Sequence, residues 1–217
     1  MGLDLVVEGC AKPGHETEWR QILERSFNGS EPDQSDAARF AEISTPPYER
    51  IGAPRVGFDK AADDWIVEAR GANTPDEVQA VLKDFHGYYV LRLLKCDGVP
   101  RYSNSGLYDG VDETSFRGAF LSDCTDVLPA ELIEEAWDHK FPEQAISYGQ
   151  SLLAAADVAE TGESEPPSAK RGMFFGFARP KRSAGPISLE EQLEIVRTAG
   201  RWFIFWGERG HAIRAWF

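Results

Sequence analysis

Two capping boxes constrain the fold of this chain more than any other feature. Thr74-Pro-Asp-Glu77 supplies an N-cap hydroxyl, a first-turn proline and a Glu that reaches back to the cap, so a helix is predicted to start at Pro75. Ser188-Leu-Glu-Glu191 repeats the capping-box logic ahead of Leu193 and Val196. Around these fixed points, apolar residues recur at helical spacing. Trp19, Ile22, Leu23 and Phe27 form one stripe, and Trp65, Ile66 and Ala69 form another that Gly71 closes. Val78, Val81, Leu82 and Phe85 follow the first box, while Leu132, Ile133, Ala136 and Trp137 mark a later helix. Pro142 opens a stripe of Ala145, Ile146, Gly149, Leu152, Leu153 and Ala156, predicted to pair with that helix. A helix from Asp33 or Ser35, burying Ala37, Phe40 and Ala41, is predicted to end before Pro46-Pro47, with a loop from Tyr48 to Asp59.

Three stretches read differently. Leu3 to Val7 is a short β-rich run, and Tyr88-Tyr-Val-Leu-Arg-Leu-Leu94 lacks helical periodicity, which predicts a central strand. After Gly200, Arg201-Trp-Phe-Ile-Phe-Trp206 has a buried-strand pattern, and Gly207-Glu-Arg-Gly210 reads as a hairpin turn into a final strand over 211–217. The expected class is α+β: several helices packed on a small mixed β-sheet in a single compact domain, residues 1–217. A flexible acidic, Pro-containing linker is expected at about 160–170. A length of 217 residues with 42% hydrophobic content is ample for such a core.

Charge narrows the function. Against 23 basic residues stand 36 acidic ones, a net charge of -13, and that field disfavours general nucleic-acid binding and anionic membrane surfaces. It permits a basic protein partner. The opening residues Met1 to Glu8 carry acids too early for a signal peptide or membrane span, and Val6 stands where myristoylation expects Ser or Thr, so a cytoplasmic location is expected. Cys10, Cys96 and Cys124 are odd in number and lack zinc-ligand spacing. No metal site is expected: His15-Glu16 has Trp19 where a zinc helix needs its second His, and 109–113 lacks the alternating acids of a calcium loop. No cofactor is expected either, for neither phosphate-cradling glycine motif is present. His86, His139 and His211, each alone, are read as structural. One segment opposes the overall charge: residues 170–182 hold five cations, three phenylalanines and no acid. It only partly matches an aromatic RNA-binding strand and is read as aromatics pinned to the core with solvated cations.

Functional residue types are densest from Cys96 to Cys124. There Asp123 could act as acid or base, Arg117 as an anion clamp and Cys124 as a nucleophile, with Asp4, Tyr102 and Tyr108 as binding residues. The competing reading makes the Asn, Gly and Asp turn-formers and Cys124 a buried small hydrophobe. Two functions follow: a binding protein of the immunity or inhibitor kind that captures a basic partner, or a small-molecule enzyme with its site in the Tyr102–Cys124 region. Oligomeric state is not legible.

Met1-Gly-Leu-Asp4, Phe120-Leu-Ser-Asp-Cys124 and the expected helix-Gly-strand ending resemble a family of uncharacterised bacterial and phage proteins. Those proteins begin Met-Gly-Leu-Asp and carry Phe-x-Ser-Asp-Cys ahead of a helix. The resemblance covers short islands and brings no assigned activity. It implies only that Asp4, Ser122, Asp123 and Cys124 lie near one another.

Overall fold

The computed structural model describes residues 2–29, 34–94, 99–100, 114–162 and 187–217. In chain order the elements are strands β1 (Asp4–Val7) and β2 (Cys10–Ala11), helices α1 (Glu16–Phe27) and α2 (Gln34–Ile43), strand β3 (Ser44–Thr45), and helices α3 (Pro47–Arg50), α4 (Lys60–Arg70) and α5 (Pro75–Asp84). A 3-10 turn (Leu91–Leu93), strand β4 (Ser115–Phe116) and a second 3-10 turn (Gly118–Asp123) follow, then helices α6 (Ala130–Glu135), α7 (Pro142–Thr161) and α8 (Leu189–Glu208), and strand β5 (Ile213–Trp216). This is the α+β class expected from the sequence. The expected linker begins inside α7, whose last turn is capped by Gly162; residues 163–170, like the basic segment 170–182, lie outside the described residues. Among the described residues no helix is long and apolar enough to cross a membrane.

The chain divides into two compact units, one of residues 1–6, 100–208 and 212–217, the other of residues 7–99 and 209–211. In the first, a three-stranded sheet has the order β4-β1-β5, with Leu5 opposite Phe116 and Val6 opposite Ser115 in antiparallel register. The far side of β5 is closed by a single bridge, in which Lys140 and Ile213 exchange both backbone bonds at 2.8 Å, and by His139 Nδ1, which accepts from the Ala215 amide at 3.1 Å.

The dominant helix pair is α7 against α8, rather than α6 against α7. Small residues let the backbones meet. A Cβ on Gly149 would sit 2.6 Å from the Gly200 carbonyl, one on Gly200 would sit 2.9 Å from the Gly149 carbonyl, and one on Gly207 would sit 2.7 Å from the Pro142 carbonyl. Gly200 is therefore a contact point and not a helix end, which corrects the expected strand at 201–206. Ile195, Val196, Ala199, Trp202, Phe203 and Trp206 are all buried, and their spacing keeps one helical phase straight through the glycine. Tyr148 meets Phe203 edge-on at 4.8 Å, and Trp202 packs on Phe116 at 5.9 Å. The Ser188–Glu191 box forms as expected, with the Glu191 amide donating to Ser188 Oγ at 3.2 Å and the Ser188 amide donating to Glu191 at 2.9 Å.

In the second unit α1 buries Trp19, Ile22 and Leu23, and the Trp19 indole donates to the Gly9 carbonyl at 2.7 Å. Helix α2 departs from its expected face: Ala37 and Ala41 are exposed, Phe40 is half-buried and only Ile43 is buried. Polar pairs tie it to α1, with Arg25 on Asp36 and Arg39 on Glu18, each at 2.7 Å. Val56, Ala62, Ile66 and Val90 form a core packed against Trp65, Val81, Leu82, Phe85 and Leu93. Gly71 closes α4 at φ +64°, and Thr74 and Glu77 cap α5 reciprocally.

The Tyr88–Leu94 run is not a central strand, and β4 takes the place expected for it in the three-stranded sheet. Tyr89 makes one antiparallel bridge to Arg55, with Val56 N to Tyr88 O at 2.9 Å, Gly87 N to Val56 O at 2.9 Å and Val90 N to Pro54 O at 2.8 Å, and the chain then enters the 3-10 turn. Six apolar and aromatic residues around Arg92 satisfy a short ladder as well as a long strand, so the run alone does not choose between them.

Candidate functional site

The residues singled out from sequence fall in three places. Asp4 on β1 receives the Arg117 guanidinium, Nε to Oδ1 at 3.0 Å, just before the 3-10 turn whose close approach to Leu3 requires Gly118. A Cβ there would lie 2.6 Å from the Leu3 side chain. Arg117, read as an anion clamp, thus already holds a carboxylate. Asp123 is half-buried at the end of that turn. Cys124 follows, wholly buried, with its thiol directed at the Phe120 carbonyl at 3.3 Å and the Gln192 carbonyl at 3.8 Å. Tyr102 and Tyr108 lie outside the described residues, as does Cys96.

The next turn is locked by Gln192 of α8, which is 2% exposed. Its carbonyl oxygen accepts from the Asp126 amide at 3.0 Å, and its amide nitrogen donates to the Asp126 carboxylate at 2.7 Å. Buried Cys10 is no more reactive than Cys124 by placement, since burial pushes its thiol pKa up. Lys140, also buried, donates to the carbonyls of Glu135 and Asp138 and lies 4.4 Å from the centre of the Tyr148 ring. Burial pulls its pKa down to about 8, and the same burial raises that of Tyr148, whose hydroxyl donates to the Leu132 carbonyl at 2.7 Å. Among the described residues no group of three or more His, Cys, Asp or Glu is placed to hold a metal ion.

Two surface arrangements were not visible in the sequence. The first, on α6 and the chain after it, carries Glu131, Glu134, Glu135 and Asp138, all exposed; Glu135 and Asp138 also act electrostatically on the buried Lys140. Trp137 stands among them and meets Phe217 at 5.6 Å between ring centres, although both are exposed, at 38% and 65%. Trp216 next to it is 59% exposed. Acids and aromatics are both readable in sequence, but the meeting of Trp137 with Phe217 is not.

The second arrangement lies on the short ladder of the other unit. The Arg55 guanidinium stacks on Phe58 at 4.6 Å and on Tyr89 at 5.1 Å, and its Nε donates to the Gly87 carbonyl at 3.0 Å. Gly87, at φ +87°, leaves room for it, for a Cβ would lie 3.2 Å from Nη2. Gly57, at φ +84°, similarly makes room for His86, whose ring packs 5.2 Å from Phe58. Nearby carboxylates are committed elsewhere: Asp59 accepts from the Arg55 amide at 2.8 Å, Asp63 from the Gly57 amide at 2.7 Å, and Asp64 pairs with Lys60. Burial raises the pKa of the Tyr89 hydroxyl, the Arg55 guanidinium opposes the rise, and Glu49 close to the hydroxyl adds to it. The sequence hint was a pair of Gly-aromatic steps, Gly57-Phe58 and Gly87-Tyr88, whose pairing is a long-range event.

No protein-family model, no curated protein and no solved structure matches this chain.

Proposed function

We infer that the chain is a binding protein of the immunity or inhibitor kind, and that it captures a basic partner on the acidic, aromatic face around α6. The observation that carries this reading is the set of four exposed carboxylates, Glu131, Glu134, Glu135 and Asp138, on the same short stretch of chain as Trp137, whose ring meets that of Phe217. Exposed aromatic anchors rimmed by charge are what partner surfaces use: the rings supply desolvated contact area, and the carboxylates steer and orient a cationic partner. The net charge of -13 supports the same direction of attraction. The enzyme reading has less behind it, since it draws on a buried Cys124, an Arg117 already paired with Asp4, and two tyrosines outside the described residues.

The test is a titration of the protein with an oligoarginine peptide, followed by tryptophan fluorescence at two salt concentrations. Saturable binding is expected, at least tenfold weaker at the higher salt and again at least tenfold weaker in Glu134→Lys/Asp138→Lys. Asp76→Lys/Asp84→Lys on α5 changes net charge equally and should reduce affinity much less. Equal losses in the two double variants would reduce the effect to net charge and remove this face as the site.

A further inference from the structure

We propose that the Arg55 cradle is a binding site for a small oxyanion, a carboxylate or phosphate group, held by the two terminal nitrogens of the guanidinium. This site lies in a different unit from the α6 face and is independent of the reading above. Three observations carry it. The guanidinium is fixed before any ligand arrives: one nitrogen is bonded to the Gly87 carbonyl and two aromatic rings hold its plane. In a chain with 36 acidic residues, this cation makes no ion pair among the described residues. Finally, two positive-φ glycines clear the volume that Arg55 and His86 occupy.

Arginine presents a planar fork that matches two oxygens of a carboxylate or phosphate, and a fork already immobilised loses little further freedom on binding. Arg39 provides the contrast within the same protein. Its guanidinium is taken up by Glu18 and Glu42, at 2.7 and 2.8 Å, so it has no such fork to offer. His86 lies against the same Phe58 ring.

The experiment follows the side-chain Nε–H resonances of Arg55 and Arg39 by NMR while the full chain is titrated separately with sodium acetate and sodium phosphate at constant ionic strength. The Arg55 signal should move to saturation in the millimolar range, with the tighter of the two salts naming the preferred oxyanion, while the Arg39 signal should stay in place. Arg55→Lys keeps the charge but loses the fork, and it should weaken the response of the neighbouring Gly87 amide at least tenfold. If the Arg55 signal drifts linearly with both salts, or moves no more than that of Arg39, the site does not exist. That comparison is made within the unaltered protein and does not depend on the variant folding. Unchanged Gly87 titration in a folded Arg55→Lys protein would equally overturn the proposal.

Discussion

At His211 the fold commits to a neutral imidazole. The ring is completely buried, and its Nδ1 lies 2.7 Å from the Glu8 carbonyl, which can only accept, so that nitrogen carries the proton. Burial pushes the pKa down to about 4; the Glu8 bond acts in the opposite direction, and Arg50 and Arg209 add repulsion. The unfolded chain takes up its proton near the ordinary value of about 6.5, whereas the folded chain resists until about pH 4. Stability should therefore be complete above pH 6.5 and fall on acidification through that window, by on the order of 3 kcal/mol. His211→Gln retains a donor for Glu8 and removes the titration, so urea melts of this variant at pH 7 and pH 4.5 should differ less than those of the parent. An unchanged difference would place the acid sensitivity in another group. Cys124 yields a second test at this scale. With Cys10 and Cys96 replaced, its thiol should resist labelling at neutral pH until denaturant is added, because nothing of it is exposed. Cys124→Ala should cost about 1 kcal/mol, the ordinary size for a small buried truncation. Fast labelling of the folded protein would restore the nucleophile reading.

Among the elements, the crossing of α7 and α8 is where two effects of one substitution oppose each other. Gly200→Ala gains about 1 kcal/mol of helix propensity, yet its new methyl would lie 2.9 Å from a carbonyl oxygen and from Leu153. Overpacking against a backbone that cannot step aside costs about 1–3 kcal/mol. Crowding should win, and the urea midpoint should drop; a rise would show that the helices do not approach as closely as described. The same glycine makes the sequence ambiguous there. A glycine before an apolar run signals a helix end or a close contact equally well, and only the phase of Ile195, Val196 and Ala199 continuing into Trp202, Phe203 and Trp206 separates them. Elements with local chemistry at both ends, such as α5 with its Thr74 cap and α4 with Gly71, were legible. Elements defined by distant partners, such as the Arg55–Tyr89 bridge and β4, were not. Of the candidate site, Asp4 and Arg117 are each legible as functional residue types, and nothing in the sequence announces that they pair with each other.

For the molecule as a whole, the excess of 36 acidic over 23 basic side chains sets up self-repulsion that folding concentrates. Exposed pairs such as Arg20–Glu24 and Lys60–Asp64 oppose it, but each contributes only about 0.3–0.5 kcal/mol and is screened by the same salt. Repulsion should dominate, so the melting temperature is expected to rise between 20 and about 150 mM sodium chloride, where the screening length shortens to about 8 Å. A fall would mean that the ion pairs outweigh the net charge. The sheet order β4-β1-β5 has a consequence for how the protein is made. Its middle strand is Asp4–Val7, while its neighbours are Ser115–Phe116 and Ile213–Trp216. On a nascent chain leaving the ribosome, β4 follows that strand only after more than a hundred further residues and β5 only after more than two hundred. Until β4 emerges both edges of β1 are open to pairing with any other extended chain, and one edge stays open until β5 follows, so the newborn protein is a natural client for a chaperone that shields this strand.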